Sequence, residues 1–77
     1  MDNTLLSRIT SNPKIFGGKP CIRGMRVRVV DVLGLLAAGL TADQIIKDEL
    51  PYLEPEDIKE CLLYAANKIN HPVLSAA

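Results

Sequence analysis

The spacing of hydrophobic and polar residues changes three times along the chain and divides it into four segments. Residues 1–11 hold one short stretch with apolar side chains three or four apart, which predicts an N-terminal arm with a short helix. Residues 12–29 combine glycine pairs with alternating residues, which predicts extended structure with two tight turns. Residues 30–69 contain three helical patterns and form the predicted core, and residues 70–77 are predicted to be a disordered tail.

The second segment predicts a short β hairpin with a basic face. One turn is expected at Gly17-Gly18, because glycine supplies the positive φ of a tight turn. Two strands, residues 21–23 and 26–29, are expected to pair across Gly24-Met25, because glycine at the first loop position suits a type II′ hairpin. Alternation then puts valine side chains on one face and arginine side chains on the other. The arginine face consists of Arg23, Arg26 and Arg28.

The first helix is predicted over residues 30–39 and is apolar on almost every side. Asp31 lies in its first turn, where the helix dipole favours a negative charge, and Gly39 marks its end, because glycine adopts the left-handed conformation freely. A helix without a polar face is buried all round, which a single chain of 77 residues can hardly achieve. A homodimer is therefore expected, and its predicted contacts are Val32, Leu33, Leu35 and Leu36.

The second helix is predicted to begin at a capping box and to end before a proline. Thr41 and Gln44 have the spacing at which each side chain can bond the backbone N–H of the other residue. The helix then runs to about Glu49 with its isoleucines buried, and Pro51 ends it.

The third helix is predicted to begin with Pro55 at its first position, followed by acids that suit its positive N-terminal end. At 100° per residue, one apolar stripe faces the core. This stripe consists of Ile58, Cys61, Leu62, Ala65, Ala66 and Ile69. Leu63 and Tyr64 lie outside it, which indicates contact with a partner protein. The alternative is that both residues pack under the N-terminal arm of the same chain.

Charge is divided unequally between two parts of the chain. Residues 1–28 carry six basic residues and one acid, whereas residues 29–77 carry three basic residues and eight acids, so a net charge of zero conceals segments of +5 and −5. Arginine and lysine on the hairpin segment can pair with phosphate, which indicates nucleic acid as a partner. The predicted nucleic-acid-binding residues are Lys19, Arg23, Arg26 and Arg28. Two alternatives stay open: ion pairs with the acidic helices of the same chain, and contact with the acidic surface of a partner protein.

Spacing and composition indicate no catalytic residue, no metal site, no cofactor and no membrane span. His71 is the only histidine, and Cys21 and Cys61 have no base nearby in sequence, so nucleophilic catalysis is not expected. The acids Asp31, Asp43, Asp48 and Glu49 are interpreted as helix-end and surface charges rather than as a metal-binding cluster. The longest apolar run has nine residues, short of the roughly twenty that a span needs. Without a recognisable secretory leader, a cytoplasmic location is expected.

Three stretches of the sequence resemble one known family. They are Gly17-Gly18-Lys19-Pro20-Cys21-Ile22-Arg23-Gly24-Met25-Arg26-Val27, Leu35-Leu36-Ala37-Ala38-Gly39-Leu40-Thr41 and Leu53-Glu54-Pro55-Glu56-Asp57-Ile58. They are similar to the domain-of-unknown-function 433 family of small bacterial proteins, with Arg8-Ile9 and Asn12-Pro13 adding to the resemblance. Two positions depart from it: Met25 stands where threonine is usual, and Glu54 stands where a serine or threonine cap is common.

The resemblance implies a mainly α fold, a three-helix, homeodomain-like bundle of the helix-turn-helix type preceded by a short β hairpin. It also implies an antitoxin-like role, in which the protein binds and silences a PIN-like ribonuclease toxin and can bind operator DNA. Because the third helix begins with acids that phosphates repel, the basic hairpin is expected to make any DNA contact. Two other functions stay open: a DNA-binding regulator without a toxin, and an adaptor dimer that binds only protein.

Overall fold

The computed structural model describes residues 6–69. Its elements are β1 (Ile9–Thr10), β2 (Cys21–Ile22), α1 (Val29–Ala37), α2 (Ala42–Gln44), which continues as one π-helical turn (Ile45–Glu49), and α3 (Pro55–Lys68). The fold is therefore three helices with a small antiparallel strand pair, as the sequence predicts. The predicted tail, residues 70–77, and the first five residues of the predicted arm lie outside the described residues.

The strand pair differs from the predicted hairpin in its partner. β2 pairs with β1 from the N-terminal arm, with Ile9 opposite Ile22 and Thr10 opposite Cys21. The predicted second strand, residues 26–29, makes only one bridge to β2, because the chain enters α1 at Val29 and leaves no length for a strand.

The turn after β2 is also one residue earlier than predicted. Its central residues are Arg23 and Gly24, with φ of 47° and 72°, and Met25 N–H donates to Ile22 O at 2.8 Å. Two consecutive positive φ values are the pattern of a type I′ turn, rather than the type II′ turn expected at Gly24-Met25.

α1 is shorter than predicted but ends as its glycine indicates. Gly39 has a φ of 101°, and its N–H donates to Leu36 O at 3.0 Å, while Leu40 N–H donates to Leu35 O at 3.2 Å. These two bonds form a Schellman ending, which satisfies carbonyl groups that the last helical turn leaves open. The helix itself ends at Ala37, so the predicted helix, which ran to residue 39, included the two residues of the C-terminal Schellman motif.

The starts of α2 and α3 follow the predicted signals. Gln44 N–H donates to Thr41 Oγ1 at 3.1 Å, and Thr41 N–H donates to Gln44 Oε1 at 2.8 Å, which confirms the capping box. After one turn the bonding shifts to a π-helical pattern, with Leu50 N–H donating to Ile45 O at 2.7 Å. Pro55 lies at the start of α3, as expected.

The core lies where β2, α1, the π-helical turn and the first half of α3 meet. It consists of Ile22, Val27, Val29, Val32, Ile45, Leu53, Ile58 and Cys61. The predicted buried stripe of α3 is therefore confirmed at Ile58 and Cys61 but wrong at Leu62, Ala66 and Ile69, which are exposed. The buried positions of α3 all lie in its first two turns, and its later turns extend beyond the buried core.

Replacing Gly34 with alanine is expected to raise the free energy of unfolding by about 0.5–1 kcal/mol. Gly34 lies inside α1, and a Cβ added there would have no atom within 4 Å. Alanine therefore removes unfolded-chain entropy without a clash. The measurement is urea denaturation followed by circular dichroism, with Gly39→Ala as the matched control, expected to destabilise because of its φ of 101°. A destabilised Gly34→Ala would contradict the open surface seen along α1.

Candidate functional site: two binding surfaces

Asp57 is a fully buried carboxylate in the first turn of α3 and the centre of an ion-pair cluster. Its Oδ1 accepts hydrogen bonds from Arg23 Nε and Arg8 Nη1, both at 3.0 Å. Its Oδ2 accepts from Arg23 Nη2 at 2.8 Å and from Glu54 N–H at 2.7 Å. Arg8 also pairs with Glu54, and its backbone N–H donates to Glu60 Oε1 at 2.9 Å. The cluster thus joins the N-terminal strand, the turn after β2 and the start of α3.

The charges in this cluster are stabilised by their hydrogen bonds. Burial alone would raise the pKa of the Asp57 carboxyl, but the hydrogen bonds from Arg23, the Glu54 backbone and Arg8 hold that pKa below its ordinary value. The hydrogen bonds that Arg8 donates to the carboxylates of Glu54 and Asp57 raise the pKa of Arg8, and those that Arg23 donates to Asp57 raise the pKa of Arg23. Across residues 6–69, every buried side-chain nitrogen or oxygen has a hydrogen-bond partner.

Two residues of the predicted arginine face form ion pairs within the chain. Arg23 binds Asp57 and also donates to Tyr52 O at 3.0 Å. Arg28 lies at the N-cap position of α1, and its Nε and Nη2 donate to the Asp31 carboxylate at 3.2 and 2.9 Å. These contacts favour, for both arginines, the alternative of ion pairs within the chain.

The remaining basic side chains of this segment lie exposed. Lys14, Lys19 and Arg26 are on the surface and make no ion pair with any of residues 6–69. The sequence from Asn3 to Val30 contains no acid, so these charges have no acidic neighbour in their own stretch of chain. Of the predicted nucleic-acid-binding residues, Lys19 and Arg26 therefore keep unpaired charges, and their role stays a prediction. We call Lys14, Lys19 and Arg26 the basic surface.

An exposed aromatic ring, which the sequence reasoning did not single out, lies in the loop between Lys14 and Lys19. Phe16 has a φ of 49°, followed by 63° at Gly17 and 89° at Gly18. The glycines form the predicted turn, whereas a phenylalanine in the left-handed region costs about 1–2 kcal/mol. Its ring stays 40% exposed, and the Arg28 guanidinium lies 5.0 Å from the ring centroid. The available signal was a single phenylalanine, the only one in the chain, inside an acid-free basic segment.

The second half of α3 carries an exposed apolar surface. Leu62 is 50%, Leu63 40% and Ile69 70% exposed, and Ala66 between them is also exposed. At 100° per residue, Leu62, Ala66 and Ile69 point to one side of the helix, with Leu63 at its border. We call these four residues the α3 surface.

The two predicted partner-contact residues have different surroundings. Leu63 is 40% exposed and belongs to the α3 surface, while residues 1–5 of the arm, under which it was alternatively predicted to pack, lie outside the described residues. Tyr64 is half-buried against the core, and Lys68 Nζ lies 5.4 Å from its ring centroid. Among the described residues, Leu63 is therefore partly accessible to a partner, whereas much of the Tyr64 side chain packs against the core of the same chain.

The predicted homodimer residues of α1 also divide between core and surface. Val32 is fully buried in the core of the single chain, so it does not lie on a surface that a second copy can reach. Leu33, Leu35 and Leu36 are half-buried. Val30, which was not among the predicted contacts, is 57% exposed. The homodimer stays a prediction, with a smaller set of available residues.

The thiols are held inside the fold. Cys21 and Cys61 are free and buried, and burial, followed by the nearby charges of Asp57 and Glu60, raises the pKa of Cys61 to about 12. A thiol in such surroundings is a poor nucleophile at neutral pH. Within residues 6–69, no three histidine, cysteine, aspartate or glutamate side chains lie together as metal ligands, and no helix is long and apolar enough to cross a membrane.

Comparison with known proteins gives one family and one curated relative. A family model described as "Protein of unknown function (DUF433)" matches residues 9–65. The uncharacterized protein y4eO of Sinorhizobium fredii is 40% identical over 57 residues, which cover 74% of this chain and 25% of that protein. The chain thus spans about a quarter of that relative's length. No solved structure gives a significant match.

Proposed function

The chain belongs to the DUF433 family, and we propose that it is a non-enzymatic, antitoxin-like module that binds and silences a PIN-like ribonuclease. The observation that carries this proposal is the α3 surface. Its three large apolar side chains are 40–70% exposed, with Leu62 and Leu63 on one turn of α3 and Ile69 two turns later, at the C-cap of the helix. A helix that presents apolar anchors at such spacing suits a groove in a partner protein.

The energetics of the α3 surface support a protein contact. Full burial of one leucine or isoleucine side chain contributes about 1.5–3 kcal/mol, so a few such anchors supply much of the affinity of a stable complex. These residues contribute little to the core of the single chain, because the buried positions of α3 are Asp57, Ile58 and Cys61. Apolar surface left outside the core is a common mark of a protein interface.

The charge of the helical part fits a ribonuclease partner. Asp43, Asp48, Glu49 and Glu56 are exposed and form no ion pair within residues 6–69. A ribonuclease has a basic surface that holds the phosphates of its substrate. Exposed acids are complementary to such a surface and speed association with it.

The proposal also includes the arrangement of the helices, the oligomeric state and the location of the protein. We propose a homeodomain-like arrangement of the three helices, a homodimer through the half-buried leucines of α1, and a cytoplasmic location. The family resemblance and the apolar character of α1 support them.

A second candidate function is binding of nucleic acid, such as operator DNA, through the basic surface. Lys14, Lys19 and Arg26 are exposed basic residues whose charges no acid within residues 6–69 neutralises. Such charges can contact phosphate groups, whereas the acidic start of α3 would be repelled by them. The expected DNA-contacting element is therefore the loop region before α1, and not α3.

Replacing Leu63 with aspartate is expected to abolish co-purification with the proposed PIN-like ribonuclease partner. A charge in the middle of an apolar contact costs well over 2 kcal/mol, or more than about 30-fold in affinity. The measurement is co-expression of both proteins, affinity purification, and size-exclusion chromatography with light scattering. The matched control is Val30→Asp, at an exposed apolar position where an acid suits the first turn of α1.

Four outcomes separate the functions. Loss of the complex in Leu63→Asp but not in Val30→Asp supports the antitoxin-like role and locates its interface. A complex that survives Leu63→Asp contradicts the α3 interface. A wild-type protein that forms no complex with the nuclease but binds the DNA of its own promoter would favour the regulator. A wild-type protein that binds only other proteins would favour the adaptor dimer.

A further inference from the structure

We propose that the loop around Phe16 binds an unpaired nucleobase of a single-stranded nucleic acid, with Phe16 as the stacking platform. The inference rests on the second, nucleic-acid-binding candidate and deepens it, because it names the class of ligand and a residue outside the predicted set. Three independent features carry it: the conformation of Phe16, the position of Arg28, and the charge around the loop.

The first feature is the fixed and strained conformation of the loop. Phe16 has a φ of 49°, although a glycine would adopt that conformation without strain. Gly18 N–H donates to Ile15 O at 3.1 Å, Lys19 N–H to Phe16 O at 3.2 Å, and the Ser11 hydroxyl to Gly18 O at 2.7 Å. These bonds hold the loop in one shape while the ring remains 40% exposed. Strain that keeps an aromatic ring at the surface, rather than in the core, points to a binding role.

The second feature is a guanidinium group stacked near the ring. The carbon centre of the Arg28 guanidinium lies 5.0 Å from the Phe16 centroid. Asp31 fixes this guanidinium through its Nε and Nη2, and Nη1 makes no hydrogen bond with any of residues 6–69. A flat cation held beside an aromatic ring forms a preorganised surface for a base, and the remaining N–H groups can donate to a base edge or a phosphate.

The third feature is the charge that surrounds the ring. Lys14 and Lys19 flank the loop in sequence and are exposed, and no acid occurs between Asn3 and Val30. An aromatic residue between lysines combines base stacking with phosphate attraction, which is how proteins hold single strands. A base within a duplex is stacked on its neighbours and must be unstacked before an aromatic side chain can insert, so a loop aromatic stacks at lower cost on an unpaired base.

The test measures fluorescence anisotropy at low salt with four labelled ligands of equal length. They are oligothymidylate, oligouridylate, an abasic strand with the same phosphates, and a DNA duplex. The protein is expected to bind the two strands that carry bases about 5- to 100-fold more tightly than the abasic strand. The ratio between oligouridylate and oligothymidylate then shows which of the two strands is preferred; they differ in the 2′-hydroxyl of the sugar and in the thymine methyl group.

Phe16→Leu is expected to bring binding of both base-carrying strands down to the abasic level and to leave the abasic affinity unchanged. Tyr52→Leu is the matched control, because Tyr52 is an aromatic residue of similar exposure, 52%, outside the basic segment. Phe16→Tyr keeps the stacking ring and is expected to retain affinity, which separates loss of stacking from loss of fold.

The outcomes distinguish failure of this inference from failure of the candidate function. Equal binding of the abasic and base-carrying strands, or preference for the duplex, overturns base stacking and leaves phosphate binding in place. Absence of binding to all four ligands overturns both. Because the comparison of ligands uses the wild-type protein, the inference remains testable even where Phe16→Leu does not fold.

Discussion

Replacing Asp57 with asparagine is expected to lower the free energy of unfolding by about 3 kcal/mol. Asp57 is fully buried and accepts hydrogen bonds from two arginines and from the Glu54 backbone. Asparagine has the same shape but no charge, so Arg23 loses its counterion, Arg8 keeps only Glu54 and Glu60, and an amide N–H₂ faces guanidinium donors. The arginine side chains are 28% and 37% exposed and can partly turn to water, which keeps the cost below the upper end for a buried pair.

The measurement is urea denaturation at neutral pH, and Glu56→Gln is the matched control. Glu56 lies one residue away in the same first turn, but it is exposed and forms no ion pair within residues 6–69. Its replacement removes only a helix-end charge, which is worth less than about 1 kcal/mol. A domain of this size has a total stability of only about 4–12 kcal/mol. A loss of about 3 kcal/mol in the Asp57 variant would therefore be a large and measurable fraction of the total. Equal losses in the two variants would contradict a special role for Asp57.

The parts of the fold that the sequence predicts correctly depend on short-range signals. The Thr41–Gln44 capping box, Pro55 at the start of α3 and the left-handed Gly39 each depend on residues within one helical turn. Local geometry decides such features, and so a single sequence reveals them.

The parts that were missed depend on residues far apart in the chain. The partner of β2 is a strand that ends eleven residues earlier, and Arg23 and Asp57 are 34 residues apart. The acids at the start of α3 were read as helix-end charges, which they are, but nothing local shows that Asp57 alone turns inward. The exposed second half of α3 was missed for a related reason, because helical periodicity shows which residues share a side but not how far the core extends.

The division of charge between residues 1–28 and residues 29–77 partly serves to hold the fold together. Arg8 and Arg23, from the basic part, neutralise Asp57 and neighbouring acids of α3. This pairing separates the basic residues into those that hold the chain together and those of the basic surface. The basic surface and the α3 surface are different parts of the molecule, so our two candidate functions can be tested by separate variants.

Lowering the pH below about 4 is expected to destabilise the protein steeply, and Asp57 is expected to carry most of the loss. The pKa values of Asp57 and Asp31 are below their ordinary values in the folded chain: hydrogen bonds outweigh burial at Asp57, and the Arg28 hydrogen bond dominates at Asp31. The unfolded chain therefore binds protons more readily, and acid favours unfolding. The stabilisation is complete above about pH 5 and is lost as the pH falls through the folded-state pKa values.

The measurement is urea denaturation at a series of pH values for wild type, Asp57→Asn and Asp43→Asn. Asp43 is exposed and forms no ion pair within residues 6–69, so its variant is expected to follow the wild-type curve. The Asp57 variant has no carboxyl to protonate at this position, so its difference from wild type, about 3 kcal/mol at neutral pH, is expected to shrink as the pH falls. A difference that stays constant down to the acid limit would show that Asp57 contributes through shape and hydrogen bonding alone. Convergence of the two curves would show that its charge, held by Arg8 and Arg23, is what stabilises the fold.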